Sequence, residues 1–174
     1  MMSKIKTFLT IFVLFIGSSV IFRNVTANTN KTVEKTADKI IQVMAYSMPN
    51  VIKRCQKDFG YSDADMIILE KELKRFLIMC MVLDSDYIGM YSKDVDNLWH
   101  SFILFTKEYA EFGQSFAGKF IHHAPEINDD KTEDELIKSR EGFRFFVKNY
   151  QQIFNEKAND IWFLDICNNL YPID

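Results

Sequence analysis

The sequence predicts an all-α fold: a helical bundle of four to five helices, preceded by a separate N-terminal signal or transmembrane helix. Three observations carry this expectation. Glycine (6) and proline (3) are scarce in 174 residues, which favours long helices over many short strands joined by tight turns. Apolar residues recur at spacings of three and four along most of the chain, the signature of one helix face. No alternating apolar–polar run marks a half-buried strand. With 48% hydrophobic residues and 16 Phe, the chain is too apolar to be disordered and long enough for one domain with its own core.

Residues 1–27 form the first segment, read as a signal peptide or membrane anchor. Lys4 and Lys6 precede an uncharged, mostly apolar run from Thr7 to Phe22, and Arg23 ends it. A signal peptide has this basic start, a hydrophobic centre such as Phe8–Ile16, and a small-residue site such as Val25-Thr26-Ala27. A retained anchor fits equally: residues 5–22 number 18 and would rise about 27 Å as a helix, enough to cross a bilayer core. The chain is therefore expected at a membrane through a single N-terminal span at residues 5–22, or exported after cleavage.

Residues 28–174 are the expected helical domain. Val33, Ala37, Ile40, Ile41, Met44, Met48, Val51, Ile52 and Cys55 define a first amphipathic helix, with Pro49 imposing a kink or break near Tyr46–Pro49. Gly60 ends it. Ser62 then caps a second helix whose buried stripe is Met66, Leu69, Leu73, Phe76, Leu77, Cys80 and Leu83. Its expected polar face is Glu70, Lys71, Glu72, Lys74 and Arg75. A third helix is expected from Ser92 or Asp94 to about Ala117, central because it is apolar nearly all round, with Gly118 as its C-terminal cap. Thr132 and Glu135 form a capping box ahead of a fourth helix, with Leu136, Ser139, Phe143, Phe146, Val147, Tyr150 and Phe154 inward. A short apolar segment, helical from Asn159, closes the chain.

Charge and cysteine content narrow the function classes. The first 27 residues hold three of the 21 basic residues and no acid, which leaves 18 basic against 24 acidic residues in 28–174, a net of −6. An acidic domain without a basic stripe is a poor match for nucleic acid, whose binding depends on neutralising phosphates. Cys55, Cys80 and Cys167 are far apart and include no CxxC, so neither a zinc knuckle nor a thioredoxin-like motif is present.

All three histidines, His100, His122 and His123, fall within residues 91–125, together with Trp99 and a run of aromatics. Histidine titrates near neutrality and is the commonest metal ligand. Asp96 and His100 are four apart and stand one above the other on a helix. Three readings fit this pair. It can be a carboxylate–imidazole hydrogen bond that satisfies a half-buried histidine. It can join His122 or His123, returning on the loop after Gly118, in a two-His, one-carboxylate metal site with open positions. It can be acid–base machinery. An extended loop cannot turn both adjacent histidines inward, because successive side chains alternate.

The residues Val95-Asp96-Asn97-Leu98-Trp99-His100, Phe102-Ile103-Leu104, Thr106, Tyr109, Phe112 and Phe120-Ile121-His122-His123 with Pro125 form the pattern VDxxWHxFILxTxxYxxF…FIHHxP. This pattern resembles one found in a group of uncharacterised bacterial proteins. Its VDxxWH element is also similar to one in glycine-rich-domain proteins of plants. The resemblance implies that Asp96, Trp99, His100, Thr106, Tyr109, His122 and His123 belong to one unit, and it implies no activity. The chain departs from the pattern in its N-terminal apolar segment and in having Gly113 where a cysteine is expected.

The function expected from these readings is that of a membrane-tethered or exported helical interaction module with a protein partner. The alternative is a small metal- or ligand-binding protein, with hydrolysis as one possible activity, using Asp96, His100, His122 and His123 and a divalent transition metal such as zinc or iron.

Overall fold

The computed structural model describes residues 37–83, 88–124 and 132–165. Two units divide the chain, 1–41 and 42–174. The first is described only from residue 37, and the second holds the core. The described residues are helical without any strand, in agreement with the expected all-α class. The apolar segment at 5–22 lies outside the described residues, and no described helix is long and apolar enough to cross a membrane.

Helix α1 is described over 37–45; α2 spans Pro49–Phe59, α3 Asp63–Leu83, α4 Lys93–Leu104, α5 Thr106–Phe112 and α6 Glu133–Phe154. A π-helical turn, Gly113–Ala117, continues α5, and a 3-10 turn, Asp160–Trp162, follows α6. Helix α4 packs on both α2 and α3, and α3 packs on α6.

The helix ends follow the capping residues. Ser62 Oγ accepts from the Asp65 amide at 3.2 Å while the Asp65 carboxylate accepts from the Ser62 amide at 2.9 Å. Gly60 (φ 78°) and Gly118 (φ 72°) take the left-handed conformation that ends α2 and the π turn. Thr132 and Glu135 form the expected reciprocal box at the start of α6.

Two of the expected helices divide. Pro49 has no amide to donate, so α1 stops at residue 45 and α2 restarts with Pro49 in its first turn. The break falls where the sequence put it. The expected helix from Ser92 to Ala117, by contrast, is not continuous. It breaks at Phe105 (φ −84°, ψ 63°), whose amide reaches back to the Phe102 carbonyl at 3.0 Å. A straight rod that is apolar all round cannot bury every side against one neighbour. The bend gathers Phe102, Tyr109 and Phe112 into one ring cluster, with centroids 5.0 and 5.4 Å apart and all three rings buried.

The polar face expected on α3 is also corrected. Lys71 is exposed, but Glu72, Lys74 and Arg75 are buried at 1%, 6% and 7% exposure. Glu72 accepts from the Tyr150 hydroxyl at 2.8 Å and from the Trp162 indole at 2.7 Å. Arg75 donates to the same Tyr150 hydroxyl and to Glu156 at 2.8 Å, and its guanidinium lies over the Tyr150 and Phe154 rings. Lys74 donates to the Met44 carbonyl at 3.1 Å, a cation at the C-terminal end of α1, and pairs with Glu70 at 2.7 Å. These charges face inward because each meets a partner from another element. On α6, Phe143, Phe146 and Tyr150 of the expected inward set are buried, and Phe146 packs on Trp162.

Replacing Glu72 should therefore be far more damaging than replacing its neighbour. Urea denaturation should show Glu72→Ala losing about 3 kcal/mol or more, because a buried charge partner and two donors are stranded. Lys71→Ala should stay within about 0.5 kcal/mol, as an exposed side chain does.

Candidate functional site

Helix α4 supplies two of the site's side chains. Ser92 caps it by accepting from the Val95 amide at 3.4 Å. Val95, Leu98, Trp99 and Phe102 are buried, which fixes the helix rotation. Asp96 and His100 consequently share the stripe beside the buried face, half-buried and exposed respectively. Asp94 and Asn97 turn elsewhere, to the Tyr61 hydroxyl at 2.6 and 2.9 Å.

The third side chain arrives from the segment after Gly118. Ile121 and His123 face inward, while Phe120 and His122 are exposed and pack on each other with ring centroids 5.0 Å apart. The alternation of an extended segment thus sorts the two histidines. His123 Nε2 lies 2.8 Å from Asp96 Oδ1, and His100 Nδ1 lies 3.6 Å from Asp96 Oδ2. The two imidazole centroids are 4.5 Å apart. Ligand atoms of Asp96, His100 and His123 all fall within 4.8 Å of one another. Three of the four residues expected to act together are therefore adjacent, and His122 is outside that group.

Packing holds the returning segment in place. The Trp99 indole N–H donates to the Tyr109 hydroxyl at 2.9 Å, and that hydroxyl donates to the Ile121 carbonyl at 2.6 Å. The Trp99 ring meets the His123 ring edge-on, 4.4 Å between centroids. A side chain on Gly113 would sit 2.8 Å from the Lys119 carbonyl, so the π turn and the returning segment touch backbone to backbone at that point. The resemblance groups Tyr109 with the histidines and marks Gly113 as a departure, but neither the hydroxyl's two bonds nor the close approach at Gly113 follows from it. A lone glycine inside an apolar helical run is the local signal for such an approach.

Electrostatically the site is set apart from the thiols. Burial pushes Cys55 up, and it pushes Cys80 up to about 12, so both keep their protons at neutral pH. Burial also pushes the Tyr61 and Tyr109 hydroxyls up to about 12, with the Asp94 carboxylate adding to the effect at Tyr61. The site is therefore a carboxylate and two imidazoles on an all-helical frame, open on the His100 side.

A family model matches residues 36–164, and the chain belongs to the UCP032817-like family, an uncharacterised group. No curated protein and no solved structure matches the chain.

Two outcomes follow from this geometry. Gly113→Ala should lower stability by about 1–3 kcal/mol in thermal unfolding, since the added methyl meets backbone that cannot rotate away. The raised hydroxyls set a pH window. Between their ordinary value of 10.0 and about 12 the folded chain holds protons that the unfolded chain has released. Stability from these two groups should be complete below pH 10 and fall as pH rises toward about 12, and Tyr61→Phe should flatten that decline in denaturant titrations.

Proposed function

We propose that this chain is a helical metal-binding protein that holds one divalent transition metal, zinc or iron, through Asp96, His100 and His123. The observation that carries the reading is the convergence of one carboxylate oxygen and two imidazole nitrogens within 4.8 Å. Two ligands at about 2.1 Å from a metal stand roughly 3.0–3.4 Å apart. The Asp96–His100 separation of 3.6 Å has to close slightly, and the 2.8 Å Asp96–His123 hydrogen bond has to open slightly as the metal replaces its proton. Imidazole and carboxylate suit zinc and iron, and three protein ligands leave positions for water or a small ligand. His100 is 47% exposed, which gives that ligand a way in. A metal bound here would lower the pKa of its water, the usual route to hydrolysis at neutral pH. The basic start and apolar run of residues 1–27 support delivery of this domain to, or across, a membrane.

The test is titration of the full chain, in detergent, with Zn(II) and anaerobically with Fe(II), read by elemental analysis and by tryptophan emission. Trp99 lies against His123, so binding should change its emission. One equivalent of metal is expected. Asp96→Ala, His100→Ala and His123→Ala should each weaken binding at least about 100-fold while His122→Ala leaves it unchanged. A folded parent that takes up neither metal would sink the reading and leave the cluster as a structural hydrogen-bond pair.

A further inference from the structure

We propose that Tyr109 is the positioning residue that sets the affinity of this site, an inference that rests on the metal reading above. Asp96 and His100 are fixed by their helix, one turn apart. Only His123 depends on a segment without regular structure, so the ligand set is as ordered as that segment. Its ordering converges on one atom. The Tyr109 hydroxyl, on a residue 1% exposed, uses both of its hydrogen-bonding capacities. It accepts from Trp99, the residue next to His100, and donates to the carbonyl of Ile121, two residues before His123. Two residues of extended chain cover about 6.6 Å, so a displaced Ile121 carbonyl moves the His123 imidazole with it. Trp99 also contacts the His123 ring directly, at 4.4 Å. The hydroxyl therefore couples the ligand-bearing helix to the ligand-bearing loop from behind, through Trp99 and the Ile121 carbonyl.

The phenol ring does a separate job. It packs edge-on against Phe102 at 5.0 Å and Phe120 at 5.2 Å. Tyr109→Phe keeps those contacts and deletes only the hydroxyl, leaving the Trp99 N–H and the Ile121 carbonyl without this partner. Groups that orient metal ligands from behind typically change affinity by about 10- to 100-fold.

The experiment compares Zn(II) dissociation constants of the full-length parent, Tyr109→Phe and Tyr150→Phe, with hydrogen exchange of residues 119–124 measured on the metal-free proteins. Tyr150→Phe removes another buried, doubly bonded hydroxyl, one that serves Glu72 and Arg75. The proposal expects a 10- to 100-fold rise in the dissociation constant and faster exchange at 119–124 in Tyr109→Phe. It expects neither in Tyr150→Phe, although both variants lose stability. Equal affinities in the parent and Tyr109→Phe would overturn the positioning role and leave the metal reading standing. Equal losses in the two variants would overturn it too, by reducing the effect to stability. A parent without metal would overturn both. Should Tyr109→Phe not fold, Trp99→Phe removes the donor that holds the hydroxyl in line. A severalfold loss of affinity there supports the proposal, and an unchanged affinity overturns it.

Discussion

The Glu72 carboxylate lies in the core at 1% exposure, where an ion is tolerated only if its oxygens are occupied. Tyr150 from α6 and Trp162 from the turn after it occupy them, and Arg75, one turn along α3, supplies the opposite charge through the same tyrosine. Apolar surfaces can slide past one another at small cost, whereas these bonds are directional. Glu72 therefore fixes how α3, α6 and the 160–162 turn meet. Phe76, the residue after Arg75 on α3, packs on Trp162 at 6.1 Å and edge-on to Trp99 of α4 at 5.1 Å. The position of α4, and with it Asp96 and His100, is built outward from this buried carboxylate.

The site divides its work between regular and irregular backbone. Helix α4 presents two side chains at a separation that the helical repeat itself determines. The third must be brought back by the chain, and the break at Phe105, the π turn and the left-handed Gly118 achieve that reversal within a short stretch. The helical part is held by burial, with Val95, Leu98, Trp99 and Phe102 locking its rotation. The returning part is held by a hydrogen-bonded hydroxyl and a backbone contact that only glycine permits.

The helix inventory is legible in the sequence wherever the signal is local. Pro49, Ser62, Gly118 and the Thr132–Glu135 box act on their own few residues, and each does in the structure what its chemistry dictates. Two features are not local. The bend at Phe105 has no proline or glycine to announce it; it exists because Phe102, Tyr109 and Phe112 gain more by clustering than by staying on one rod. The inward turn of Glu72, Lys74 and Arg75 depends on partners at Tyr150, Trp162 and Met44, far away in the sequence, and a charge run on a helix ordinarily reads as a solvated face. The candidate site falls between these cases. The Asp96–His100 spacing is plain from helical periodicity, and the alternation rule foretells that only one of His122 and His123 faces in. Which one does is decided by the register of Ile121 against Tyr109.

The π turn at Gly113–Ala117 has a consequence for how this chain can vary. A π turn accommodates one more residue than the α turn it replaces. The point at which the chain leaves the helix, Gly118, is rotated by about 100° relative to the exit of an α turn. Substitutions along Gln114, Ser115 and Phe116 leave that phase intact, whereas deleting one residue would re-form an ordinary turn and swing the exit of the helix a quarter-turn or more around its axis. Length in this stretch is then locked, and so are Gly113 and Phe116, by a backbone contact and by ring packing; only the exposed Gln114 and Ser115 are open to substitution.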